Sequence, residues 1–333
     1  TTLSDTLTIT YAGDGTLSVS SSDTSIATAT LSGTTVTVEA VATGSATVTV
    51  SVAAGTNYEA VTKDIAITVS LAPPISNTLN DNSWDVISQV AQEGTGDTYW
   101  DVGDCKEITL NGKIGDYLTL SNETLRVFIL DFNHKNNGAN ENNIIFGCFK
   151  STSGIDVALI DLDGYPYKTD GTKMFNFNHW GNCNYGGWKG SDIRYDVLGA
   201  TSTQPSDYGK AHTTSCVGYD ATAATLTSPK ADTFLAALPS DLRSKIRLRT
   251  HYVDNKGNAS NVDANVTAVT DAVFLLAEFE IFGSRYYANQ YEQNHQAQMK
   301  YYANGNAKVK YKHNSTGAAV YWGECSPFYN NTS

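Results

Sequence analysis

The chain has 333 residues, 41% hydrophobic and 17% charged, and its 22 basic against 34 acidic side chains give a formal net charge of -12. That balance excludes nucleic acid as a partner, because phosphate contacts need clustered Lys and Arg, and it argues equally against an anionic membrane surface. No run of about 18 apolar residues occurs, so no membrane-inserted helix is expected. The composition, rich in Thr, Ser, Asn, Gly and Tyr, suits β-rich, loop-rich folds of the extracellular type. Five cysteines, Cys105, Cys148, Cys183, Cys216 and Cys325, are widely spaced and odd in number. They form no C-x-x-C pair, so free buried thiols are expected rather than a zinc site or a complete disulfide set. The start at Thr1, with neither Met nor a signal-type segment, reads as a processed or trimmed N-terminus.

Residues 1–72 read as all-β. TTVTVEA (34–40) and SATVTVSVA (45–53) alternate β-branched with small residues at a period of two, as half-buried strands require. Gly-containing turns separate such runs, giving about six strands, the density of a sandwich. One basic residue, Lys63, faces six acidic ones here. The stretch SSSDTSIATATLSGTTVTVEAVATGSATVTVSV resembles a bacterial Ig-like domain of the group 2 type, and that resemblance implies a spacer with no catalysis of its own.

Residues 73–82 read as a linker, opened by Pro73 and Pro74 and continued by polar residues. NSWDVISQVAQEG then predicts a short helix capped by Ser83, with Trp84, Ile87, Val90 and Ala91 on one face and Gly94 as its stop. Beyond it, β-runs at 126–132, 156–162 and 272–283 mix with short helices. One helix is expected after Ser191 as N-cap, with Gly199 as C-cap. DTFLAALPSDLRSKI (232–246) predicts two more helical turns, the first ended by Pro239 and the second capped by Ser240. Strands and helices do not alternate regularly, which points to α+β rather than parallel βαβ architecture. Residues 285–333 hold eight of the 19 tyrosines and seven asparagines. That is the alphabet of adaptable binding surfaces, because Tyr gives large contact area at low entropic cost.

No motif for catalysis or metal binding stands out. None of the six histidines pairs with another at i, i+2 or i+4. His179 and Cys183, four apart in a Gly-rich loop, do not define a thiol-nucleophile site. DLDGYPYKTDG (161–171) starts like a calcium loop but lacks the third oxygen ligand and the closing glutamate, and reads as a turn. No nucleophile elbow, Walker loop or dinucleotide fingerprint is present, so no metal, no cofactor and no catalytic residue is expected.

Four segments, YWDVGDCKEITLNG (99–112), RVFILDFNHKN (126–136), NYGGWKGSDIRYDVLG (184–199) and YWGECSP (321–327), occur in the order of one family. They resemble a domain of undefined function found in phage structural proteins and in surface proteins of gut Firmicutes, and ALPSDL (237–242) and LLAEFEIFG (275–283) match it too. Such proteins look related to the C-type lectin-like fold. Two departures stand out: Cys325 takes the place of the arginine in the family's W-W-x-R-S-P, and the chain stops at Ser333, where the family continues with a closing strand. The resemblance implies an N-terminal all-β Ig-like sandwich (1–72), a linker (73–82) and a C-terminal α+β domain of C-type lectin-like fold (83–333) without its last strand. It assigns Trp188, Ser191 and Arg194 to a structural motif: tryptophan into the core, serine as helix cap, arginine bridging loops.

Candidate ligand-binding residues are Trp180, Asn182, Asn184, Tyr185, Tyr321, Trp322, Glu324, Phe328, Tyr329 and Asn330. The expected function is a phage virion structural protein, a fibre, decoration or receptor-binding component exposed on the virion. Its C-terminal domain would adhere to a host cell-surface receptor or glycan. Partners would be other virion proteins and copies of itself, since virion appendages are symmetric. A bacterial cell-surface adhesin is the first alternative and an enzyme acting on cell-wall carbohydrate the second.

Overall fold

The structure is a computed structural model, and it describes residues 3–70, 74–115, 118–159, 184–257, 261–312 and 319–320. Two compact units divide the chain between Pro74 and Ile75.

The N-terminal unit is six strands: β1 (Ser4–Thr8), β2 (Leu17–Ser21), β3 (Ala27–Ser32), β4 (Thr35–Ala40), β5 (Gly44–Val52) and β6 (Val61–Val69). They form two three-stranded antiparallel sheets, ordered β1-β4-β3 and β2-β5-β6. The period-two pattern shows best in β5, where Ala46, Val48, Val50 and Val52 are buried while the residues between them are not. With Ala27 and Val36 they make up the unit's small aliphatic core. This is a β-sandwich of ordinary alternation.

The C-terminal unit begins earlier than the proline linker suggests. Leu79, in a 3-10 turn at Leu79–Asp81, is buried, and so is Asn82. The Asn82 amide donates to the carbonyls of Ser76 and Thr78, and Lys106 Nζ donates to the carbonyls of Asn80 and Asn82. These polar residues therefore pack into the unit instead of joining two bodies. Next comes α1 (Trp84–Glu93), capped by Ser83 Oγ accepting from the Val86 amide. Gly94 closes it at φ 72°, a left-handed conformation that glycine adopts without a Cβ clash. Its buried face of Trp84, Val86, Ile87 and Val90 packs on the sheet, with Trp84 edge-on to Phe146 at 5.4 Å.

After α2 (Gly96–Tyr99) come the long strands β7 (Cys105–Ile114) and β8 (Leu118–Phe132), then a small hairpin, β9 (Lys135–Asn136) with β10 (Ala139–Asn140). Strands β11 (Ile144–Lys150) and β12 (Asp156–Ala158) continue the main sheet. A π-helical turn spans Arg194–Leu198, and three short helices follow: α3 (Ala223–Thr227), α4 (Phe234–Ala237) and α5 (Ser240–Arg243). The last segments are β13 (Arg249–Asp254), β14 (Val266–Asp271), α6 (Glu278–Phe282), α7 (Lys300–Ala303), β15 (Lys310–Lys312) and β16 (Ala319–Val320). The main sheet has six strands in the order β16-β15-β12-β11-β8-β7, with only the β12/β15 pair parallel, and β13 and β14 form a separate hairpin sheet. The molecule is thus β-rich with a few short helices.

Three local expectations change. The run 272–283 contains no strand: β14 ends at Asp271, 272–277 is irregular, and Glu278–Phe282 is α6. Glu280 reaches back to accept from the Ala277 amide, and Gly283 closes the helix at φ 66°, so the turn signals outweigh the apolar pattern. Ser191 does not cap its helix through its hydroxyl, which donates instead to the Trp188 carbonyl at 2.8 Å. Ser240 is the first residue of α5, and Thr233 Oγ1 caps α4 by accepting from the Ala236 amide.

Candidate functional site

The segment 184–199 folds around one buried carboxylate. Trp188 Nε1 donates to Asp271 Oδ2 at 2.8 Å, and His251 Nε2 donates to the same oxygen at 2.7 Å. Arg194 Nε pairs with Asp271 Oδ1, while its terminal nitrogens donate to the carbonyls of Lys189, Tyr219 and Thr270. Trp188, Arg194 and Asp271 are all fully buried. Burial opposes the charge on Asp271, but the Arg194 guanidinium and the donors on His251 and Trp188 outweigh it, holding the carboxyl below its ordinary value. One carboxylate therefore ties the 184–199 segment to the β13/β14 hairpin.

A second charged clasp lies behind α6. His134 Nδ1 donates to Asp131 Oδ2 at 2.6 Å, and its Nε2 lies 3.7 Å from Glu280 Oε1. Arg249 approaches that same oxygen at 3.5 Å and packs its guanidinium over Phe274. Lys300 Nζ lies 3.2 Å from Asp131 and donates to the Phe132 carbonyl. Burial works against Glu280, yet His134 and Arg249 bring its carboxyl down to about 2. His134 moves the other way: burial lowers it, but the two carboxylates raise it above its ordinary value. A further buried carboxylate, Asp254, accepts from the amides of Lys256 and Gly257 and from the Asn289 side chain.

Another buried acid holds an exposed segment. Glu278 of α6 accepts from the Tyr287 amide through both oxygens at 3.0 Å and from the Ala288 amide at 2.7 Å. Arg285 Nη1 adds a bond to the Ala288 carbonyl at 3.0 Å. The backbone is gripped from inside while the side chains of Tyr286 and Tyr287 stand 74% and 63% exposed. Their rings lie 6.4 Å apart and are inclined at 43°. Such a pair gives large, amphipathic contact area whose ordering cost has already been met by the fold.

The expected site residues divide into three groups. Trp188, Ser191 and Arg194 are buried in the Asp271 network. Asn184 is buried and Tyr185 half-buried, because the left-handed Gly186 and Gly187 turn this stretch back onto the 254–257 loop. There the Gly186 amide donates to the Lys256 carbonyl and the Gly187 amide to that of Asn184. Trp180, Asn182, Tyr321, Trp322, Glu324, Phe328, Tyr329 and Asn330 lie outside the described residues, as do His179, Cys183 and the 161–171 turn. Composition does not distinguish Tyr286 and Tyr287 from the other tyrosines of 285–333; the signal that points to them is Glu278 at the start of the Glu-x-Glu helix. A cavity of about 860 Å³ is lined mainly by apolar side chains such as Trp84, Phe146 and Leu276. Among its described lining residues Glu141 is the one carboxylate, so among them no carboxylate pair faces the cavity. Among the described residues no group of three or more His, Cys, Asp or Glu is placed to hold a metal ion. Comparison with family models, curated proteins and solved structures found no match for this chain.

Proposed function

We propose that the chain is a phage virion structural protein, a fibre, decoration or receptor-binding component, whose C-terminal unit adheres to glycan on a host surface. The observation carrying this reading is the Tyr286–Tyr287 ledge, exposed at the side chains and fixed at the backbone by buried Glu278. A tyrosine ring sets a flat apolar face against the C–H face of a sugar ring and keeps its hydroxyl for hydrogen bonds. In this reading the N-terminal sandwich is an Ig-like spacer, and the C-terminal unit is a variant of the C-type lectin-like fold. The residue motifs that resemble the phage and Firmicutes domain support both assignments, and the acidic charge suits an exposed surface. Individual contacts would be weak, with avidity from symmetric copies supplying strength.

The test is binding of the labelled full chain to a panel of gut bacterial cells and their purified surface glycans. Saturable binding to a narrow set of strains is expected. It should weaken at least about tenfold in the double variant Tyr286→Ala/Tyr287→Ala, since truncating aromatic anchors costs about 1–2 kcal/mol or more each. Binding that survives the double substitution, or binding to no strain, contradicts the reading.

A further inference from the structure

The C-terminal unit holds an unfilled space inside its apolar layer. The cavity of about 860 Å³ is walled by α1, by β8 and β11 of the main sheet, and by the segments 245–250 and 272–276. Phe146, Phe149, Phe234 and Phe274 line it and are only half-buried, although each packs against a core cluster. Edge-to-face contacts, Trp84 on Phe146 at 5.4 Å and Phe149 on Phe234 at 5.7 Å, set these walls in place. Asn142, Arg247 and Thr250 also line the cavity and are exposed, so it reaches the surface on that side. The volume lies in the range of about 300–1,000 Å³ that small-molecule sites occupy. Water gains little there, because a buried water needs two to four polar partners.

The charge on the walls is one-sided. Among the described lining residues Lys245, Arg247, Arg249 and Lys310 are basic and Glu141 is acidic, in a chain whose net charge is -12. Arg249 differs from the rest. Its side chain is only 8% exposed, and its Nε and Nη1 have no hydrogen-bond partner. Its Nη2 comes no closer than 3.5 Å to Glu280 Oε1, and its guanidinium lies 5.1 Å from the centre of the Phe274 ring, itself on the cavity wall. Glu280 is already engaged: its Oε2 accepts from the Ala277 amide, and His134 Nε2 approaches its Oε1. Arginine cannot shed its charge, and a buried cation short of acceptors is costly. We propose that the cavity is a binding site for a monoanionic amphiphile, a long-chain fatty carboxylate, whose head accepts from Arg249 and whose tail runs along Trp84, Phe146, Phe149 and Phe234. One under-partnered cation calls for one negative charge, and a guanidinium bonds a carboxylate more strongly than a neutral acceptor. The mainly apolar remainder of the wall suits a hydrocarbon chain and offers few partners to the hydroxyls of a sugar.

The experiment titrates the full chain with cis-parinaric acid, a fatty carboxylate that fluoresces in apolar surroundings and accepts energy from tryptophan. Trp84 lines the cavity, so bound probe should quench tryptophan emission and saturate at one molecule per chain. Dodecanoate should displace the probe, and dodecanol should do so at least about tenfold less well, because the alcohol lacks the charge-assisted hydrogen bond to Arg249. Arg249→Met should erase that preference while the tail still binds. Ala91→Phe, on the α1 wall, should weaken acid and alcohol alike by filling the space. If Arg249→Met does not fold, the comparison of acid with alcohol on the unsubstituted chain still decides. No saturable probe binding, equal displacement by acid and alcohol, or probe binding unchanged in Ala91→Phe would overturn the proposal.

Discussion

Inside the N-terminal unit the buried side chains are Ala27, Val36, Ala46, Val48, Val50 and Val52, and none of the described residues there buries a charge. Inside the C-terminal unit His134, Arg194, Asp254, Asp271, Glu278 and Glu280 are buried as well, each with named partners. The two interiors do different jobs. An aliphatic sandwich needs only the right volume and alternation, so many sequences serve and nothing is aimed at a ligand. Buried charges are costly unless every partner is in place, so they force one arrangement of the loops that carry them. The Tyr286–Tyr287 ledge belongs to that second kind of interior.

Substitutions should separate the two units cleanly, because all five tryptophans lie beyond residue 83 and so report the C-terminal unit alone. The largest effect is expected from Asp271→Ala, which strands Arg194, Trp188 and His251 together. It should cost about 3–5 kcal/mol, the range for breaking a buried charged pair. The loss should appear in denaturant unfolding followed by tryptophan fluorescence. An equal loss in the tyrosine signal of the N-terminal unit would break the comparison.

The pH dependence comes next. His134 and His212 have folded values raised above 6.5, the latter to about 10, so their contribution is complete below pH 6.5 and fades as pH rises towards 10. Glu280 and Asp131 are lowered, so their contribution is present above their ordinary values of 4.5 and 3.8 and is lost as pH falls, for Glu280 through about 2. Asp254, which burial pushes up, works in the opposite sense over the range just above 3.8. Thermal unfolding read by tryptophan should therefore peak between about pH 4.5 and 6.5 and decline on both sides. A flat profile over pH 6.5 to 10 would contradict the charged His134 and His212 assignments.

Glu278→Gln should be milder, costing about 1–3 kcal/mol by weakening the charged acceptor of two amides, and it should lower cell binding together with stability. Tyr58→Ala is the smallest. Tyr58 is exposed on the N-terminal unit, so its loss should change stability by no more than about 0.5 kcal/mol and leave binding unaltered. Weakened binding in that variant would move adhesion onto the sandwich.

Local signals made much of the fold readable. The alternation in β5, the Ser83 cap and the Gly94 stop each depend on neighbours within a few positions, and the structure has all three. What stayed hidden depends on pairs far apart in the chain. Trp188 and Arg194 read as a structural motif, but their common partner, Asp271, is 77 positions beyond Arg194. The Tyr-rich end at 285–333 stood out by composition. Which of its tyrosines are displayed depends on α6, a helix in a run whose apolar pattern reads as strand.

The account depends most on one physical claim, that a buried carboxylate holds an exposed pair of tyrosines in place. Amide hydrogen exchange at Tyr287 and Ala288 measures it directly. Both amides should be protected nearly as well as those of β13, and Glu278→Gln should release them while β13 stays protected. Exchange at the rate of an open loop in the unsubstituted chain would mean that the ledge is not held by Glu278, and the adhesion reading would lose its support.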